Sequence, residues 1–371
     1  MPVPQNATAY VLNVTEVSGT AASLLTVYAA NDATRPNASN LNFAAHTVMA
    51  NLVTVATGGS GEVNIYNAAG SVNVLIDVEG YFAPTPPGQV AGLFHPIAPV
   101  RVCDTRHLSP TPLCSAHGAL GPGTSMVVNF ATAGGLPGDG SAEAAVVNLT
   151  GVAGTASTYL SLFPTNASGG CTATGTSTMN LSAGAVEANR VMVALGPSTT
   201  GGVNDSLCVY NAAGVINVLI DANGWFGSST APASPAGYQY QAIAPTRICD
   251  TRSVSTSCTP PGAIGPALQR LITVAGHAGV PAFGGATTVA AMIVNLTAIA
   301  PTAPTFLSLY PADLTSPPNV SDLNLGPGAV VPNLAVVEVD TIPADTHDGD
   351  VYLYNGAGSV NAIIDLEGWF Q

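Results

Sequence analysis

The chain has 371 residues and a net charge of −14; 47% of its residues are hydrophobic and only 8% are charged, against about 25% charged in a typical soluble domain. All seven basic residues are arginine. This balance argues against a nucleic-acid partner and against charge-driven binding to anionic lipid, and no apolar run reaches the ~18 residues of a membrane-spanning helix.

Taken in order, the chain repeats itself. Residues 1–10 lead into Val11-Leu12-Asn13-Val14-Thr15, which recurs as Val146 to Thr150 and Ile293 to Thr297. A short apolar run ending in an aromatic follows: Leu24 to Tyr28, Tyr159 to Phe163 and Phe306 to Tyr310. After a loop rich in Pro and Asn come Leu41-Asn42, Met179-Asn180 and Leu323-Asn324, then Asn51, Asn189 and Asn333, each opening another apolar run. Each unit closes on a seventeen-position hairpin, Y-N-x-A-G-x-x-N-x-x-I-D-x-x-G-[WY]-F, whose first residues Tyr66, Tyr210 and Tyr354 stand 144 residues apart. Asn-x-Ala-Gly separates two apolar runs and signals a turn. In the run that follows, Val72, Val74, Ile76, Val78 and Phe82 alternate, as do Ile216, Val218, Ile220, Ala222 and Phe226, and Val360, Ala362, Ile364, Leu366 and Phe370. Period two over this length predicts a long strand with that face in a core and a mixed, partly polar face opposite.

A second kind of segment precedes only the second and third units. It reads Pro99-Val-Arg101-Val-Cys103-Asp104-Thr105-Arg106 and again Pro245-Thr-Arg247-Ile-Cys249-Asp250-Thr251-Arg252. A cysteine loop, Gly-Pro and a strand (Met126 to Phe130; Leu268 to Val274) follow each copy. With its many short strands and abundant Gly and Pro, the chain is predicted to be all-β, built as three tandem β-sandwich modules of jelly-roll-like topology. The boundaries fall at 1–84, 85–227 and 228–371, the first module lacking the N-terminal D-T-R segment. Linker-like Ala83 to Gly88 and Gly227 to Pro235 mark the joints.

The combination of N-[VL]-T, Y-N-x-A-G, I-D-x-x-G-[WY]-F and P-x-R-x-C-D-T-R resembles the tandem β-repeat of secreted and cell-surface proteins from actinobacteria. The resemblance covers nearly the whole chain. It implies an extracellular setting and fixes no activity, cofactor or binding residue.

The six cysteines agree with that setting. Cys103 and Cys114 flank one loop, Cys249 and Cys258 the equivalent loop, and Cys171 and Cys208 remain. Six cysteines allow fifteen pairings, and repeat symmetry favours these three disulfides. A four-thiolate zinc site is the rival reading, but neither pair has the two-to-four-residue ligand spacing of zinc sites. Disulfides place the chain in an oxidising compartment, outside the cell or on its surface.

Catalytic chemistry finds little footing. His46, His95, His107, His117, His277 and His347 occupy no equivalent positions in two modules, so no histidine mechanism repeats. No G-x-S-x-G, H-E-x-x-H or phosphate loop occurs. On the mixed hairpin face, Asp77, Asp221 and Asp365 recur, and they and Asp104 and Asp250 are expected to pair with Arg101, Arg106, Arg247 and Arg252 as structural ion pairs. The loop Asp345-Thr-His-Asp348-Gly-Asp350 faintly resembles a calcium site but lacks the twelve-residue pattern. Asparagines 13, 42, 51, 67 and 73 recur at 148, 180, 189, 211 and 217, and at 295, 324, 333, 355 and 361. They are expected to satisfy loop backbone groups. Tyr81, Trp225 and Trp369, placed by the alternation away from the core and beside Asn73, Asn217 and Asn361, form either a carbohydrate platform or a covered face.

The sequence therefore points to a non-enzymatic, extracellular structural or adhesive repeat protein without a cofactor. It is expected to self-associate head to tail into a filament or surface layer, module three on module one of the next chain. Carbohydrate-binding modules for a cell-surface glycan are the alternative, and a secreted hydrolase the weakest reading.

Overall fold

The computed structural model describes all residues except 1–2, 59–60, 107–113, 115, 131–134, 174, 199–201, 203, 233–236, 256, 285–287 and 342–346. Among the described residues the named elements are all strands, arranged in six small antiparallel sheets. Among the described residues no helix is long and apolar enough to cross a membrane.

Repeat one supplies β1 (Ala9–Val17), β2 (Ser23–Ala29), β3 (Leu41–Phe43), β4 (Val48–Ala56), β5 (Val63–Asn67) and β6 (Asn73–Phe82). Repeat two begins with β7 (Phe94–Asp104), the D-T-R segment, and β8 (Thr124–Asn129). It continues with β9 (Ala142–Val152), β10 (Thr158–Pro164), β11 (Met179–Leu181), β12 (Val186–Ala194), the two-residue β13 (Gly196–Pro197), β14 (Asn204–Asn211) and β15 (Asn217–Gly227). Repeat three follows the same plan: β16 (Tyr240–Asp250), β17 (Leu268–Ile272), β18 (Ala291–Ile299), β19 (Thr305–Pro311), β20 (Leu323–Leu325), β21 (Val330–Glu338), β22 (Val351–Asn355) and β23 (Asn361–Phe370).

The expectation of three tandem sandwich modules is corrected. The chain forms two compact units, one of residues 1–84 with 239–371 and one of residues 85–238. Repeats one and three thus belong together, although a whole repeat separates them in sequence. The second unit runs past the expected boundary at 227, because Tyr238 forms a bridge with Phe94, and Gly227 N–H donates to Leu93 O at 2.8 Å.

In the second unit the sheets run β12-β9-β15-β7 and β11-β10-β14, with β8 and β13 also on β14. Both sheets bury their alternating apolar residues in one core; Val147, Leu149, Val218 and Ile220 meet Leu160, Leu207 and Val209 there. The first unit contains the equivalent pair from repeat three, β21-β18-β23-β16 and β20-β19-β22-β17, around Val294, Leu296, Leu309, Leu353 and Ile364. It also contains the reduced pair from repeat one, β4-β1-β6 and β3-β2-β5. The reason for the reduction is in the sequence: repeat one has no counterpart of β7/β16 or β8/β17. Its core is correspondingly smaller, centred on Leu12, Val14, Leu25, Val27, Leu41 and Val53.

All six cysteines are bonded, as Cys103–Cys114, Cys171–Cys208 and Cys249–Cys258. Such bonds form and persist in oxidising compartments. The first and third staple the D-T-R strand to the loop that follows it.

Candidate functional site: the outer strand of the closing hairpin

Each hairpin turn is held by its asparagine. Asn67, Asn211 and Asn355 donate through Nδ2 to the carbonyls of Gly70, Gly214 and Gly358, all at 2.9 Å. Those glycines have φ of 64°, 61° and 56°, which a Cβ would strain. The other recurrent asparagines act similarly. Asn189 and Asn333 donate to the carbonyls of Thr178 and Asp322 at 2.7 and 2.6 Å, and Asn51 donates to Asn40 O. Asn42, Asn180 and Asn324 donate to Ser39, Ser177 and Ser321. Asn13, Asn148 and Asn295, which head the sequon-like N-[VL]-T triplets, are 1% exposed, so a glycosyl chain has no room on them in the folded protein.

The hairpin's second strand alternates as expected until a β-bulge interrupts it. The register skips Glu79 in β6, Asn223 in β15 and Glu367 in β23. One extra residue reverses which face each later side chain points to. Trp225 and Trp369 therefore join the main cores, only 7% and 8% exposed. The alternation had placed them away from the core; the bulge overturns that placement. Trp225 stacks on His95 with ring centroids 3.8 Å apart, and burial pushes the His95 imidazole below its ordinary value. Trp369 donates through Nε1 to Gln371 Oε1 at 2.8 Å. The final phenylalanines lie in aromatic clusters instead, Phe226 against Phe94 at 5.2 Å and Phe370 against Tyr240 at 5.3 Å.

The D-T-R strand locks onto this hairpin through one set of contacts in both complete repeats. Arg101 grips Asp221 with two bonds, Nε to Oδ1 at 2.7 Å and NH2 to Oδ2 at 3.0 Å. Arg247 grips Asp365 in the same way, at 2.8 and 3.0 Å. Two parallel charge-assisted bonds make a strong and directional contact. Thr105 and Thr251 donate to Asn217 Oδ1 and Asn361 Oδ1, both at 3.0 Å. These two asparagines, expected beside a ligand, are therefore engaged by the D-T-R segment. Asn211 and Asn355 also donate to the carbonyls of Leu120 and Gly121 and of Ile264 and Gly265. The last arginine of the motif folds back on its own aspartate: Arg106 on Asp104 and Arg252 on Asp250, each at 2.8 Å. Although burial opposes it, the Arg106 bonds and the nearby Arg106 and Arg101 charges hold Asp104 below the usual carboxylate range. For Asp250 the Arg252 hydrogen bond dominates, with the same result.

Inside the first unit, the polar face of repeat three is covered by repeat one. Asn40 Nδ2 and Thr54 N–H donate to the two carboxylate oxygens of Glu367 at 2.7 and 2.9 Å. Asn51 donates to Asn295 Oδ1 at 3.0 Å and accepts from Leu334 N–H at 3.1 Å. Burial nevertheless pushes Glu367 up to about 8. Repeats one and three thus meet within a single chain, through β2 to β4.

That leaves the other side of repeat one. β6 and β5 are the last strands of their sheets, and they expose Leu75 (58%), Ile76 (41%), Val78 (59%), Tyr81 (39%) and Ile65 (38%). Their counterparts Ile364, Leu366 and Leu353 in repeat three are fully buried. Ile76 and Val78 belong to the predicted core face; they are exposed because nothing in repeat one replaces β16 and β17.

The remaining candidates do not converge. His46 and His117 are exposed and His277 and His347 half-buried, while His107 lies outside the described residues. Among the described residues no group of three or more His, Cys, Asp or Glu could hold a metal ion. Of the acidic loop, Asp345 lies outside the described residues, and Asp350 accepts from Val274 N–H at 3.1 Å. A calcium role for Asp350 would compete with that bond.

No protein-family model matches the chain, and no curated protein matches it. A solved structure of Sulfolobus turreted icosahedral virus aligns over 99% of this chain and 81% of its own, at 8% identity and a TM-score of 0.18.

Proposed function

We propose that this is a non-enzymatic, extracellular structural or adhesive repeat protein, and that its assembly contact is the open β5/β6 edge of repeat one. The observation that carries this reading is the pair of neighbouring strand edges with Leu75, Ile76 and Val78 exposed. Unpaired strand edges recruit other strands, and large apolar side chains left exposed along them mark an interaction surface. Three disulfides fit a protein that works outside the cell. The strand orders β7-β15-β9-β12 and β8-β14-β10-β11 support a jelly-roll topology for the complete repeats. Edge on edge would close a two-fold dimer; a head-to-tail filament or layer follows if this edge meets a different surface of the next copy.

Light scattering and electron microscopy of the full chain over a wide concentration range test the reading. Oligomers that disappear on Val78→Lys support it. A protein that stays monomeric at every concentration and forms no filament or layer removes self-assembly.

The carbohydrate-binding alternative loses its aromatic platform in repeats two and three, where Trp225 and Trp369 are buried. It retains Tyr81 alone, and a glycan array with Tyr81→Ala as control decides it.

A further inference from the structure

We propose that the open edge of repeat one is the acceptor site for a D-T-R-type strand from beyond these 371 residues: an extended segment carrying arginine, then Asp-Thr-Arg, followed by a disulfide-closed loop and a second short strand. The inference takes from the proposed function only that this edge is an interaction surface, and names what fills it.

Repeats two and three display the occupant in place, and repeat one keeps the seats empty. Asp77 is the counterpart of Asp221 and Asp365, which each take a two-bonded arginine. Asn73 is the counterpart of Asn217 and Asn361, which each accept from the motif threonine. Neither the Asp77 nor the Asn73 side chain has a hydrogen-bond or ion-pair partner among the described residues. Asn67 closes its turn on Gly70, yet makes no bond to carbonyls like those of Leu120 and Gly121 that its counterpart Asn211 holds.

Gly80 adds an independent observation. Its counterparts are glycines because the D-T-R strand crosses directly over them. A Cβ on Gly224 would lie 2.3 Å from the Phe94 ring and 2.8 Å from His95 O; one on Gly368 would lie 2.4 Å from Gln241 O. A Cβ on Gly80 would meet nothing within 4 Å. Repeat one therefore carries clearance for a strand that it does not contain. The apolar residues exposed beside it, Ile76, Val78 and Ile65, are those that the missing pair of strands would cover.

A D-T-R strand lent by a second copy of this chain does not satisfy the site. Three repeats present three acceptor hairpins, and the sequence holds two D-T-R segments. Exchange between copies moves the vacancy from one repeat to another without filling it. The occupant is consequently a strand of this chemistry from another source, added in the manner of β-strand complementation.

The test is titration of the full chain with a synthetic peptide of residues 240–272, its Cys249–Cys258 bond oxidised, followed by calorimetry and by amide exchange of β6. The expected result is one peptide per chain, slowed exchange at Leu75 to Val78, and dissolution of any oligomers. Asp77→Ala in the chain, or Arg247→Ala in the peptide, should weaken binding about tenfold or more. Gly80→Val should leave the melting of the chain unchanged and abolish binding. No binding, or binding that survives Gly80→Val, overturns the proposal. So does a chain that dimerises with β6 protected and refuses the peptide, because a second copy would then be the occupant. Oligomers without peptide binding would sink this inference and leave the assembly reading standing; peptide binding by a strictly monomeric chain would do the reverse.

Discussion

β6 and β23 are nearly the same strand in sequence and are not the same strand in energy. Both carry the N-x-x-I-D-x-x-G-[WY]-F pattern, yet Ile76 is 41% exposed and Ile364 is 0% exposed. Nothing within either strand explains the difference. β23 lies between β16 and β18 and has repeat one over its polar face, whereas among the described residues β6 pairs only with β1. An alternating strand declares which face wants to be buried; a neighbouring segment decides whether it is.

The sharpest break of this comparison removes the equivalent charge on each side. Arg247→Ala strands the buried Asp365 carboxylate and should destabilise the first unit by about 4 kcal/mol. Asp77→Ala removes an unpartnered aspartate and should change stability by less than about 0.5 kcal/mol. Denaturant titration followed by tryptophan fluorescence measures both cleanly, since Trp369 is in the first unit and Trp225 in the second. A Trp225→Phe background leaves one reporter.

Next in size is the pH dependence of the contact between repeats one and three. Burial raises Glu367 from its ordinary 4.5 to about 8. A carboxyl that holds its proton more tightly folded than unfolded stabilises the fold while it keeps that proton. The contribution is fully present below pH 4.5 and is lost as pH rises towards about 8, amounting to about 5 kcal/mol as an upper bound. Glu367→Gln should flatten this part of the profile. An unchanged slope between those pH values would show that Glu367 is already ionised.

The smaller effect concerns the two glycines. Gly368→Ala drives a methyl group against Gln241 O and should cost about 2 kcal/mol, while Gly80→Ala should be neutral because its Cβ meets open space. Equal losses at both positions would mean that the glycines serve the bulge and not the passage of a strand.

Much of this was legible in the sequence. The 144-residue spacing located all three hairpins, the period of two marked Val218, Ile220 and Ala222 as core, and repetition of the cysteine pairs matched the three bonds formed. The pairing of Arg101 and Arg247 with hairpin aspartates followed from the cost of burying charge alone. The placement of Trp225 and Trp369 was not legible, because a bulge of one residue leaves no mark in an apolar–polar pattern. The signal that points to it is the glycine after Asn223 and Glu367, since glycine within a strand marks a bulge or a close approach.

By itself, the sequence determined the strands, the repeat, the disulfides and the missing D-T-R segment of repeat one. These are local matters of periodicity, turn chemistry and spacing, written in neighbouring residues. Only the tertiary structure decided that repeats one and three share a unit, that the Asp–Glu face of β23 is an internal contact, and that the matching edge of β6 stands open. Those outcomes depend on which surfaces meet across hundreds of residues, and no local pattern encodes the identity of a distant neighbour.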